Sequence, residues 1–129
     1  MSLLKQSIAQ RRASEPAEMA CVRIGAQTPG LVVALWTDES WVLPWTYLLS
    51  AHYTCHEGND QLVLSFTSQV VTSDGQNLAS VIDAVAGFRL GLLRELPPEC
   101  RARVSGNAPF ISRIKMLPVV ATSPVRQTP

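Results

Sequence analysis

Apolar and polar residues alternate along most of the chain, and one stretch departs from that pattern with helical spacing. Leu78, Val81, Ile82 and Val85 fall at i, i+3, i+4 and i+7, which lines one face of an α-helix. Asn77 stands before them as a capping residue, and Gly87 stands after them, where a left-handed residue ends a helix. The spacing predicts a helix over 77–86 with Gly87 at its C′ position.

Elsewhere the period is close to two. Ala20 to Ile24 reads as a strand with Val22 and Ile24 on one face, and Leu31 to Trp36 as a buried, β-branched strand. The Gly- and Pro-containing turn from Gly25 to Gly30 makes these two an antiparallel hairpin. Residues 41–49 carry two periods at once: Trp41, Trp45, Leu48, Leu49 and His52 sit at helical spacing, and Pro44 suits a first helical turn. We read a short helical turn near 44–49 and a strand over 50–56. Glu57-Gly58-Asn59-Asp60 is a hairpin loop, and the chain returns through Gln61 to Thr67 with Leu62, Leu64 and Phe66 inward. Gln69 to Thr72 is a further strand, or the same strand after a bulge. Phe88 to Arg94 and Phe110 to Met116 are strands, separated by a Pro- and Gly-rich loop over 96–109. Together these elements predict an α+β fold: a small, strongly bent or barrel-like antiparallel sheet of five to seven strands, with one main helix packed across it.

The helix and strands fall within residues 20–117, which we expect to be a single domain. Residues 1–19 read as a flexible or helical leader, with Ser2 capping a short helix that carries Leu3, Leu4 and Ile8. Arg11-Arg12-Ala13-Ser14 has the form of a basophilic kinase site, but a match this short is better read as a solvated linker. Residues 118–129 read as a disordered, Pro-rich tail. The chain of 129 residues is 47% hydrophobic and 16% charged, enough apolar material for a core and too little charge for wholesale disorder. The low charge also implies that a partner covers some of the surface. Cys21, Cys55 and Cys100 are odd in number, widely spaced and form no CxxC pair, which points to reduced thiols in the cytoplasm. No apolar run has the length of a secretory signal or a membrane span.

Charge is segregated. Residues 24–87 hold six acidic residues and no Lys or Arg, while residues 88–129 are strongly basic. Two such poles favour self-association or a charged partner, unless folding intermixes them.

Three groups of residues could carry chemistry. His52, Cys55 and His56 are the one cluster of metal-competent side chains. On a helix the two histidines would share a face at ligand spacing, whereas on a strand they lie about 13 Å apart, too far for one ion. The strand reading therefore expects no metal, no catalysis and no cofactor there. Trp36, Trp41, Trp45 and Tyr47 lie within twelve residues and would line a pocket or an interface, or else pack in the core. Arg101, Arg103, Arg113 and Lys115 could form a basic strip for an anion. Phe110 is the only aromatic near them, however, and the sequence pI is about 7.8, which argues against nucleic acid. No nucleotide-binding glycine motif is present.

Leu43-Pro44-Trp45, Leu62-Val63-Leu64-Ser65-Phe66 and Val71-Thr72-Ser73-Asp74-Gly75-Gln76-Asn77-Leu78, continuing to Leu96, resemble a pattern of small uncharacterised bacterial proteins. That resemblance implies a fold and no functional residue. The reading that follows is a small non-enzymatic module that binds a protein partner or itself, as a symmetric dimer. A nucleic-acid-binding module using the basic C-terminal segment is one alternative, and an enzyme or metal protein at His52, Cys55 and His56 is the other.

Overall fold

The computed structural model describes residues 20–104 and 106–119. Its elements are β1 (Val22–Ile24), β2 (Gly30–Ala34), β3 (Ser40–Pro44), a 3₁₀ turn (Trp45–Tyr47), β4 (Leu48–His56), β5 (Asn59–Phe66) and β6 (Gln69–Gln76). Helix α1 (Ala79–Ala86), β7 (Leu90–Arg94), a second 3₁₀ turn (Pro98–Arg103) and β8 (Phe110–Pro118) complete the fold. It is a mostly-β α+β fold of two four-stranded sheets. The first is mixed, in the order β1-β7-β2-β3, and the second is antiparallel, in the order β4-β5-β6-β8. The single bent or barrel-like sheet expected from the strand count is thus replaced by two separate sheets, neither of them closed.

The two sheets share one core. β5 turns Leu62, Leu64 and Phe66 inward at period two, as the alternation requires. Leu31, Val33 and Leu43 come from the first sheet, and Val71, Ile111 and Ile114 from the second. Leu78, Val81, Ala84 and Val85 come from α1 and the residue before it, and α1 packs on β1, β4 and β7. Ile82, expected in the helix's buried stripe, is only partly buried against this core.

Four expectations need correction. First, β1 and β2 do not form a hairpin, because β7 lies between them, antiparallel to β1 and parallel to β2. β7 reads Leu-Gly-Leu-Leu-Arg with no alternation, the pattern of a central strand. The Gly25–Pro29 turn is tied to the corner before β7: Gly25 N–H donates to Arg89 O and Thr28 N–H to Phe88 O. Second, residues 40–44 are strand β3, paired with β2 from Gly30↔Pro44 to Ala34↔Ser40. The helical spacing of Trp41, Trp45, Leu48 and Leu49 hid the alternation of Trp41 and Leu43, and the helical turn is confined to Trp45–Tyr47. Third, α1 starts at Ala79 with Leu78 as its N-cap, so Asn77 is not the cap. Asn77 takes a left-handed φ of 60°, and its side-chain amide donates to Gly106 O and Ala108 O. Gly87 is the C-cap, and Phe88 occupies the left-handed position beyond it at φ 56°. Arg89 N–H then donates to Ala84 O, and Phe88 N–H to Val85 O, closing the helix end. Fourth, the last strand does not stop at Met116 but runs through Pro118, and Val119 N–H donates to Ser68 O. The leader over 1–19, its kinase-like string and residues 120–129 lie outside the described residues.

The Glu57–Gly58 turn is tighter than the four-residue loop expected. Both residues have positive φ, and His56 pairs directly with Asn59. It brings Asp60 back beside Cys55.

Candidate functional site

Asp60 is one of two polar side chains buried in the described structure, and it ties three elements together. β5 places its carboxylate beneath the start of α1, where Leu78 N–H donates to it at 2.8 Å. Tyr53 on β4 donates its hydroxyl to the same oxygen at 3.2 Å, and the Cys55 thiol also reaches the carboxylate. A remote acidic side chain thereby caps a helix whose own N-cap, leucine, has no side-chain acceptor. Burial alone would push the pKa of the Asp60 carboxyl up. The hydrogen bonds from Leu78, Cys55 and Tyr53 outweigh that and hold it below the ordinary value. Its partners respond in the other direction. Desolvation, and then the hydrogen bond to the carboxylate, push Tyr53 up to about 12. The hydrogen bond to Asp60, and then desolvation, raise the Cys55 thiol.

This chemistry decides the role of Cys55. A nucleophilic cysteine needs a lowered pKa and an adjacent base, and Cys55 has a raised one with a carboxylate beside it. His52 and His56 are exposed and four residues apart on β4, so along a strand they stand about 13 Å from each other. His56 lies 3.7 Å from Glu57, both exposed. Among the described residues no group of three or more His, Cys, Asp or Glu side chains could hold a metal ion. The three metal-competent residues therefore share a strand but not a site.

The thiols give the first test. Cys21 is buried and tied to the backbone of Ile111, Cys100 is buried, and Cys55 is exposed. The native protein is expected to titrate with one thiol per chain, Cys55, reacting more slowly at neutral pH than an unperturbed thiol. Cys21 and Cys100 should react only after unfolding. A second fast equivalent would place one of them at the surface.

The aromatic group divides. Trp45 is buried, stacked on Phe66 with ring centroids 5.8 Å apart and tilted against Phe88 at 6.0 Å. Trp41 is partly buried against the core, and neither indole N–H has a hydrogen-bond partner. Trp36 and Tyr47 are each 55% exposed. Core packing thus accounts for two of the four, and the other two join Val42 and Leu49, 68% and 69% exposed, on the surface. Phe88 and Trp45 also line a shallow cleft of about 410 Å³ with Pro29 and Thr46.

The basic strip also divides. Arg101 and Arg113 line one cleft of about 550 Å³ with Asn59, Asp74, Gln76 and Ser112. The Arg101 guanidinium lies over the Phe110 ring at 5.2 Å and donates from Nε to Gln76 at 2.9 Å. Arg103 does not line that cleft, and Lys115 lies further along β8. Asp74 pairs opposite Arg113 and accepts from Gln61, so a carboxylate interrupts the basic face that a nucleic-acid backbone would need. No described helix is long and apolar enough to cross a membrane.

Asp60 was the functional-looking residue missed by sequence reasoning. No signal in the sequence marked it, because Asn77 offered an N-cap there and only the fold moves the cap position to Leu78. No family model, curated protein or solved structure matches this chain, so the functional reading rests on the residues above.

Proposed function

We propose that the domain is a non-enzymatic interaction module that associates with a second copy of itself. The observation that carries this is the placement of exposed apolar side chains. Eight large ones are exposed among the described residues, and four of them, Trp36, Val42, Tyr47 and Leu49, fall within residues 36–49. That segment contains β3, an outer strand of the mixed sheet, and opens β4, an outer strand of the antiparallel sheet. Exposed aromatic and aliphatic side chains concentrated on one run of chain are the usual material of a contact surface. The titratable cluster around Asp60 supports the same reading from the other side, because its hydrogen bonds cap a helix and raise the neighbouring thiol.

Light scattering over a dilution series from ~100 µM to ~0.1 µM tests this. The expected result is a mass of two chains at the high end, falling toward one on dilution. Tyr47→Ala should shift that midpoint upward several-fold without altering the far-ultraviolet spectrum, as removal of an exposed aromatic anchor does. A mass of one chain at every concentration would overturn the reading.

A further inference from the structure

Each sheet has two outer strands, and a sheet edge with unpaired backbone groups invites another strand unless something blocks it. Three of the four edges here are blocked. β1 has three residues, with Arg23 in the middle and a register shift beside it. β3 has five residues and ends in Pro44. β8 is long but carries Arg113 and Lys115, ends in Pro118 and has a register shift opposite Asp74 and Gly75. Charge, proline, brevity and bulges are the devices by which sheet edges avoid pairing.

β4 has none of them. Its nine residues, Leu-Leu-Ser-Ala-His-Tyr-Thr-Cys-His, contain no Asp, Glu, Lys, Arg or Pro. Its one irregularity lies between Leu48 and Ser50, which leaves Ser50–His56 in unbroken register with β5. It pairs with β5 only, and no backbone hydrogen bond from another described element reaches its outer side. The helix packs against β4 without bonding its backbone.

We propose that β4 is the assembly edge: two copies join β4 to β4 in antiparallel register about a two-fold axis, making one continuous eight-stranded sheet from two four-stranded ones. This rests on the self-association proposed above and adds where the copies meet. The occupant is a second copy because a two-fold axis sets each strand against its own sequence, and this sequence carries no charge to repel itself. With Ser50–His56 fully overlapped, the axis passes through Tyr53, and His52 of each copy lies across from Thr54 of the other. Small polar side chains then face the imidazoles, with no buried ion required. Exposed Tyr47 and Leu49 lie just beyond the paired run, where each copy covers the hairpin end of its neighbour.

The test compares two lysines on the exposed face of the same sheet. Thr54→Lys puts a charge in the middle of the free edge. Gln61→Lys puts one in the same row on β5, one strand inward, where Thr54 and Gln61 are register partners. Both side chains are exposed, so both variants should fold. The expected result is dimer dissociation at least tenfold easier for Thr54→Lys and within about twofold of wild type for Gln61→Lys, read by light scattering. Hydrogen exchange on the unaltered protein gives a second readout: amide protection in Ser50–His56 should rise with concentration, while β8 amides stay unchanged. A dimer that survives Thr54→Lys, with β4 protection independent of concentration, overturns edge pairing and leaves self-association standing. Equal dissociation by both lysines also overturns it, in favour of face-to-face packing. A wild-type protein that is monomeric throughout removes both proposals.

Discussion

Gly75→Ala is expected to destabilise the domain by about 3 kcal/mol or more, lowering Tm by roughly 10 °C. The reason is contact between two backbones. Gly75 sits on β6 opposite Ile111 of β8, where the register shifts and Ser112 is left without a partner. A Cβ at Gly75 would fall on the carbonyl oxygen of Phe110, with the Phe110 carbonyl carbon at 2.8 Å and the Ile111 Cα at 2.9 Å. No rotamer change relieves such an overlap, because the colliding atoms belong to the neighbouring strand's main chain. β8 must move away from β6, which opens the ladder beside Phe110 and Ile111, both buried in the core. It would also disturb the Phe110 ring on which the Arg101 guanidinium lies. Gly25→Ala is the matched control, since nothing lies within 4 Å of a Cβ there and its φ is not in the left-handed region. That variant should stay within about 0.5 kcal/mol of wild type. Thermal unfolding of the pair checks the expectation, and a Gly75→Ala protein as stable as the control would mean that the β6–β8 contact is looser than the structure places it.

What was legible in the sequence was local, and what was hidden depended on partners distant in the chain. The stripe Leu78, Val81, Ile82 and Val85 announced a helix because all four residues belong to α1 or its N-cap, within eight positions of one another. The β4–β5 hairpin was legible because a tight turn joins its strands and Leu62, Leu64 and Phe66 alternate cleanly, whereas β6 was legible only over Gln69–Thr72 and also as a continuation of β5. The mixed sheet was not, since β2 and β7 pair in parallel across the 55 residues between Ala34 and Leu90 and no turn residue records that choice. A parallel neighbour inserted between β1 and β2 is also what defeated the expected hairpin. The tryptophans show a related limit. Their clustering was visible, but Trp45 meets Phe66 from the 3₁₀ turn that follows β3, whereas Trp36 lies exposed in the connection beyond the end of β2. Charge segregation likewise persisted only in part, because β6 and β8 pair Asp74 with Arg113 and so bring the acidic and basic segments together.

Asp60→Ala should cost about 2–4 kcal/mol, because it strips the acceptor from a buried backbone N–H and leaves a hydroxyl and a thiol without their partner. Leu78 is fully buried, so water cannot replace the carboxylate at the helix N-terminus. Asp60→Asn separates charge from hydrogen bonding. An amide oxygen still accepts from Leu78, so that variant should lose less, and the difference between the two measures what the negative charge adds at the start of α1. The sign of the pH dependence follows from the direction of the shift. The folded carboxyl is held below its ordinary value of 3.8, so the stability it contributes is complete above that value and declines as pH falls through the lower folded one. Wild type should therefore show an acid limb below about pH 4 that Asp60→Asn flattens. Tyr53→Phe removes one of the three donors and should make this limb shallower, since the folded carboxyl then lies closer to its unfolded value. Denaturant unfolding at pH 7 and at pH 3 reads both effects. An Asp60→Asn protein whose stability falls as steeply as wild type between those points would show that the carboxylate does not govern the acid response.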